Sequence, residues 1–117
     1  MITLTLPYPP SINRYWRSWK GRVLISREGR AYRDAALAAI YAAPGRHNVS
    51  STDRLRVRIR ANPPDNRRRD LDNTLKAVLD AITHAGVWGD DSQIDDLGVT
   101  RGTVGAPGSV QVEVERL

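Results

Sequence analysis

The sequence predicts an α+β domain, a small β-sheet carrying two main helices in the order β-α-β-α-β-β. Three observations lead to it. Residues 54–60 alternate without a break, with Leu55, Val57 and Ile59 facing one way and Arg54, Arg56, Arg58 and Arg60 the other. That is the period of a strand with one buried face. Residues 70–85 place Leu71, Leu75, Val78, Leu79 and Ile82 at helical spacing. The chain has 117 residues, no repeat and no linker-like tract, so residues 1–117 are expected to form one domain.

The remaining elements follow in order. Ile2, Leu4 and Leu6 alternate with Thr3 and Thr5, a first strand that Pro7, Pro9 and Pro10 end in extended chain. Ser26 is placed to cap a helix over residues 27–43, with Tyr32, Ala36, Ala39, Ile40 and Ala43 as its apolar stripe and Pro44-Gly45 as its stop. A polar loop is expected from His47 to Asp53, and another from Ala61 to Arg69. Gly86 suits the end of the 70–85 helix, where a left-handed residue closes the last turn. Residues 94–101 form a weaker strand, and Val110, Val112 and Val114 mark the last.

Without cysteine, disulfides and thiolate metal sites are excluded, which suits a reducing cytoplasm. The first residues have neither a basic leader nor a long apolar run, so no signal peptide or membrane span is expected. The net charge of +5 is unevenly spread. Residues 1–69 hold 15 Lys/Arg against 4 Asp/Glu, and residues 70–117 hold 3 against 9. A basic first part beside an acidic second part fits a polyanion-binding surface around an acidic site.

The acidic residues sit in a pattern. Asp70, Asp72 and Lys76 open the helix directly after Arg67-Arg68-Arg69, and Asp90-Asp91 follow Gly86-Val87-Trp88-Gly89. On a continuous α-helix Asp72, Lys76 and Asp80 share one row at a cleft edge. Clustered carboxylates supply the oxygen ligands that Mg²⁺ takes, and the short loop after the helix is expected to fold Asp90 or Asp91 back towards them. The plainer reading is that Asp70 and Asp72 serve as caps, because first-turn N–H groups and the helix dipole attract carboxylates. Asp90-Asp91 would then be a solvated turn.

Here the stretch Arg67-Arg68-Arg69-Asp70-Leu71-Asp72-Asn73, then Lys76, Asp80-Ala81 and Ala85-Gly86-Val87-Trp88-Gly89-Asp90-Asp91, resembles the RusA family of Holliday junction resolvases. The opening Leu6-Pro7-Tyr8-Pro9-Pro10-Ser11-Ile12-Asn13-Arg14-Tyr15 and the segment Ser26–Asp34 resemble it too. The resemblance covers nearly the whole chain. It implies a small homodimeric endodeoxyribonuclease of mixed α/β fold, frequent in phages and prophages. It also implies a divalent metal, chiefly Mg²⁺ with Mn²⁺ as a substitute, and symmetric cutting of four-way DNA junctions in recombination and repair. By motif, the family's essential aspartates fall on Asp70, Asp72 and Asp91, which would hold the metal, and its essential lysine on Lys76. Asp90 is given less weight.

Arg67, Arg68 and Arg69 are candidates for holding the phosphates that flank a cut, and Arg14, Lys20 and Arg22 for further DNA contacts. For the Arg54, Arg56, Arg58 and Arg60 row, a DNA contact and a solvated face are equally open. Trp16 and Trp19 are read as core or dimer-interface groups, and His47 and His84 are given no role. Two other functions stay in view: a catalytically silent DNA-binding module, and a metal-dependent nuclease with another substrate.

Overall fold

The computed structural model describes residues 1–45 and 48–117. His47, from which the first loop was expected to start, lies outside these. The six expected elements appear in the expected order. They are β1 (Ile2–Pro7), the longer helix (Arg27–Ala42), a strand over Leu55–Asn62, a helix over Leu75–Ala85, and strands Ile94–Arg101 and Ser109–Arg116. The sequence reading missed a short helix, α1 (Ile12–Tyr15), and a hairpin of β2 (Trp16–Trp19) with β3 (Arg22–Ile25). The residues taken as extended chain after Pro7 lead into them. In chain order the longer helix is therefore α2, the strand at 55–62 β4, the helix at 75–85 α3, and the last strands β5 and β6.

Four strands make the main sheet, ordered β1-β6-β4-β5. β6 is antiparallel to both neighbours, whereas β4 and β5 run parallel. Register puts the alternation of each strand on one face. Leu4 pairs with Val112, and Val112 with Ile59; Ile2 pairs with Val114, and Val114 with Val57. These rows join α2 and α3 in a single core with Tyr32, Ala36, Ile40, Val78, Ala81 and Ile82. Each fully buried aliphatic side chain there contributes about 1.5–3 kcal/mol. The opposite sheet face carries Arg56, Arg58, Glu113 and Glu115 and looks outwards.

Ser26 caps α2 as expected: its hydroxyl accepts from the Gly29 N–H at 2.9 Å and donates to the carbonyl oxygens of Arg14 and Tyr15. One side chain thus joins α2 to α1. Gly29 allows the approach, since a Cβ there would stand 2.4 Å from the Tyr15 carbonyl oxygen. Gly86 closes α3 at φ +81, the conformation a glycine tolerates best.

Candidate active site

The 70–85 segment does not begin as an α-helix. Leu71–Thr74 form a 3₁₀ turn, and α3 starts only at Leu75. A 3₁₀ turn advances about 120° per residue instead of 100°. Asp72 therefore drops out of the row shared by Lys76 and Asp80. Asp70 holds the cap position, yet its carboxylate makes no capping hydrogen bond. Asp70, Asp72 and Lys76 are all exposed. Among the described residues neither aspartate enters an ion pair or a side-chain hydrogen bond. Neither acid makes a capping hydrogen bond, although Asp72 keeps a first-turn position that the helix dipole favours.

The loop before Asp70 is held by its own polar groups. The Asp65 carboxylate accepts from the Arg67 N–H at 3.0 Å and pairs with Arg69 at 2.8 Å. Those hydrogen bonds, Arg69 first, hold the Asp65 carboxyl below its usual range. Arg69 also donates to the Asp65 carbonyl and lies over the Tyr8 ring, 5.7 Å from its centroid. Arg101 reaches across to the Arg69 carbonyl at 2.8 Å. Arg69 is thus a brace of the loop, while Arg68 projects from it with no ion-pair partner among the described residues. Against this loop the Tyr8–Ser11 segment and the start of α2 enclose a groove of about 640 Å³. Arg14, Arg67, Arg68, Arg69 and Asp70 stand on its walls.

The second acidic station lies past the other end of α3. Trp88 is buried, and its indole N–H donates to Thr83 Oγ1 at 2.7 Å. The chain leaves the helix at this anchor. Asp90 caps a 3₁₀ turn over Asp91–Gln93, its Oδ1 accepting from the Ser92 N–H at 2.8 Å. That backbone hydrogen bond, with further ones from the Ser92 and Asp91 side chains, keeps the Asp90 carboxyl low. Asp91 behaves oppositely: partial burial, then its hydrogen bond with Asp90 and the charge of Asp90, push its carboxyl up, and Lys76 opposes them. Asp90 is therefore spent on the turn, and Asp91 faces the Lys76 side of α3. The loop folds back along α3, so that the charges of Lys76 and Asp80 act on Asp91.

Asp80, expected at a cleft edge, is drawn inwards. Arg33 of α2 donates to both its carboxylate oxygens, at 2.8 and 3.1 Å, and the buried Tyr15 hydroxyl donates to Oδ2. Burial alone would raise the Asp80 carboxyl, but these hydrogen bonds outweigh it together and hold it low. Three arginines of the row that runs from Arg54 into β4 are ion-paired within the chain. Arg54 pairs with Asp95 at 2.5 Å, Arg56 with Asp96 at 2.9 Å and Arg58 with Asp96 at 2.8 Å. The hydrogen bonds from Arg58 and then Arg56 bring the Asp96 carboxyl down to about 2. In the hairpin, Lys20 sits in the turn at φ 49 with its ammonium 4.6 Å from the Trp19 ring centroid. Trp19 is exposed and so takes no part in the core of this chain, whereas Trp16 packs on the core. Arg22 is exposed in β3, and Arg14 reaches Glu28 only at 3.5 Å.

Among the described residues, no three Asp, Glu or His side chains come together as a closed metal cage. The donors that are present are hard carboxylate oxygens. Mg²⁺ takes one or two of these and completes its shell with water and phosphate. Unpartnered Asp70 and Asp72, and Asp91 crowded by Asp90, fit that hydrated mode of binding.

Sequence reasoning gave no role to Gln93, Tyr15 or Arg33. Gln93 was legible in principle, because Asp90-Asp91-Ser92-Gln93 carries the Asp-x-x-Gln spacing of a capping box. Arg33 and Tyr15 carried no local signal, since their partner is 47 and 65 residues away.

A small α+β domain with acidic stations at both ends of one helix, beside an arginine-lined groove, has the make-up of a phosphodiester-cleaving nuclease. Comparison with known proteins places it more closely. The family model described as endodeoxyribonuclease RusA matches residues 7–115. A crossover junction endodeoxyribonuclease RusA of Shigella sonnei (strain Ss046) is 42% identical over 115 residues, covering 98% of this chain and 94% of that protein. Its counterpart in Escherichia coli (strain K12) is 41% identical with the same coverage. That of Enterobacteria phage HK97 is 41% identical over 112 residues, covering 96% and 92%. The chain belongs to the RusA endodeoxyribonuclease family.

Replacing Asp80 by Asn is expected to lower stability by about 2 kcal/mol at neutral pH, since the charge-assisted bonds to Arg33 weaken. Because the folded state depresses this carboxyl, its contribution is complete above the unfolded value near 4 and is lost as pH falls through the folded one. Urea melts of both proteins from pH 7 to pH 3 should therefore show the gap closing on the acid side.

Proposed function

We propose that this protein is a crossover junction endodeoxyribonuclease that resolves four-way DNA junctions with Mg²⁺ as cofactor, acting in recombination and repair. The observation that carries this reading is the exposed, unpartnered pair Asp70 and Asp72, with Asp70 on the wall of the arginine-lined groove and Lys76 four residues beyond Asp72. Acids that cap nothing and pair with nothing, next to phosphate-binding cations, are placed for chemistry rather than for folding. The names of the relatives support the substrate, since each is called a crossover junction endodeoxyribonuclease.

In this reading Arg68 and Arg67 hold phosphates of a strand laid in the groove, and Arg14 on the opposite wall fixes its path. Asp70, Asp72 and Asp91 are the residues that would hold the metal. When bound, Mg²⁺ polarises the phosphate and acidifies a water. The ammonium of Lys76 faces the negative charge that develops on the phosphoryl oxygens. The oxygen of water joins phosphorus as one ester bond breaks, and the leaving oxygen takes up a proton. A four-way junction has two-fold symmetry, so two opposed cuts suit a homodimer with one site in each subunit.

Asp72→Asn is expected to abolish cleavage of a four-way junction in Mg²⁺ while leaving junction affinity in Ca²⁺ unchanged or tighter. Its melting temperature should match the wild type, because Asp72 supports no bond in the fold. Cleavage near the wild-type rate would remove Asp72 from the chemistry.

Arg68→Ala and Arg69→Ala are expected to part company. Arg68→Ala should reduce the log–log salt slope of junction binding by about 0.9, one phosphate contact, with no change in melting temperature. Arg69→Ala should also destabilise the fold by about 1 kcal/mol, because it breaks the brace to Asp65 and Tyr8. Fluorescence anisotropy across a salt series and a thermal melt of each variant check both.

A further inference from the structure

The geometry points to Gln93 as the positioning residue of the site: its side-chain amide fixes where Asp91 is presented. The proposal rests on the reading of Asp91 as a metal ligand. A glutamine amide has two acceptor sites and two donor hydrogens, and Gln93 uses all four. Its Oε1 accepts from the Gly89 N–H at 2.8 Å and the Asp90 N–H at 3.1 Å. Its Nε2 donates to the Ser50 carbonyl at 2.9 Å and the Asp53 carbonyl at 3.0 Å. The residue is 4% exposed, one of two buried polar side chains among the described residues.

The two halves of the amide do different things. The oxygen gathers the backbone on the near side of Asp91. The nitrogen ties that backbone to the Ser50–Asp53 turn, which leads directly into β4. The Gly89–Asp91 loop is therefore referred to the central sheet, and not only to the end of α3. Gly89 fits the same clamp, since a Cβ there would come within 3.3 Å of Gln93 Oε1. Asp90 completes it by capping the turn with its own carboxylate. Between these two fixed residues, Asp91 keeps a side chain that holds up no backbone group. A ligand on a short exposed loop otherwise loses metal affinity to loop motion, and a supporting shell of hydrogen bonds prevents that.

Gln93→Met keeps the length of the side chain and removes all four bonds. Two measurements on the full chain, with Asp91→Asn alongside, test the role. The first is amide hydrogen exchange at Gly89 and Asp90, referred to core amides such as Ile82 that report global unfolding. The second is a Mg²⁺ titration, read both from amide shifts and from the concentration giving half-maximal junction cleavage. Gln93→Met should speed exchange at Gly89 and Asp90 at least tenfold relative to Ile82, and raise the Mg²⁺ midpoint at least tenfold. Junction affinity in Ca²⁺ should stay within twofold. Faster exchange with an unchanged Mg²⁺ midpoint would overturn the proposal and leave Gln93 a purely structural clamp. A wild-type midpoint in Asp91→Asn would instead overturn the reading of Asp91 as a ligand, whatever Gln93 does. If Gln93→Met does not fold, Gln93→Glu keeps the acceptor half and loses the donors. It should then show the raised midpoint with less exposure of the Gly89 and Asp90 amides, and an unchanged midpoint there would equally overturn the role.

Discussion

The parallel pairing of β4 with β5 is the constraint on which the site depends. Two parallel neighbours cannot be joined by a hairpin, so the chain must run back along the sheet between them. Residues 63–93 make that journey, with α3 as its packed middle and a polar loop at each end. Asp70, Asp72, Lys76, Asp80, Asp90 and Asp91 all lie on this one connection. The apolar face of α3 buries Ala77, Val78, Ala81 and Ile82 against the sheet and α2, which fixes the helix and both loops that hang from it. The Asp80 link to Arg33 and Tyr15 then locks α3 to the N-terminal half of the chain. Proposed catalytic groups are thus left at the ends of a rigid rod, where they remain exposed without costing the core anything.

Charge is sorted by the same topology. The excess of arginine in the first part and of acid in the second gives the impression of two opposed surfaces. In the fold much of it cancels across neighbouring strands, because Arg54, just before β4, and Arg56 and Arg58 within it face acids from β5 and β6. Exposed pairs of this kind contribute little to stability. Their consequence is electrostatic: much of the charge on that face is paired, whereas among the described residues the cations without a salt bridge include Arg68 on the groove and Arg17, Lys20 and Arg22 on the hairpin.

What the sequence made legible follows from the range of the interactions concerned. Strands β4 and β6 and the α2 cap were readable because alternation and capping are local, and so was the stop at Gly86. The Leu75–Ala85 helix was readable for the same reason, but the turn before it was not: the Asp70–Thr74 segment has ordinary helical spacing, which carries no sign of its tightening to 3₁₀. The hairpin over 16–25 was missed because Lys20-Gly21 is a weak turn signal after a short helix, and Trp16 looked like part of a packing cluster. Asp70, Asp72 and Lys76 could be named from their motif. The inward turn of Asp80 could not, because it depends on residues brought in by folding. The hold of Gln93 on Asp91 joins 89–93 to 50–53, a pairing that no spacing along the chain reveals.

The central claim is that this fold carries metal-assisted, junction-selective cleavage. One gel tests it most directly: the wild-type protein incubated with a four-way junction, a linear duplex and a single strand, each with and without Mg²⁺. The account predicts paired nicks in opposed strands of the junction, only in the presence of Mg²⁺, with the duplex and the single strand left intact. Equal cutting of all three substrates, or cutting of the junction in the presence of a chelator, would contradict it.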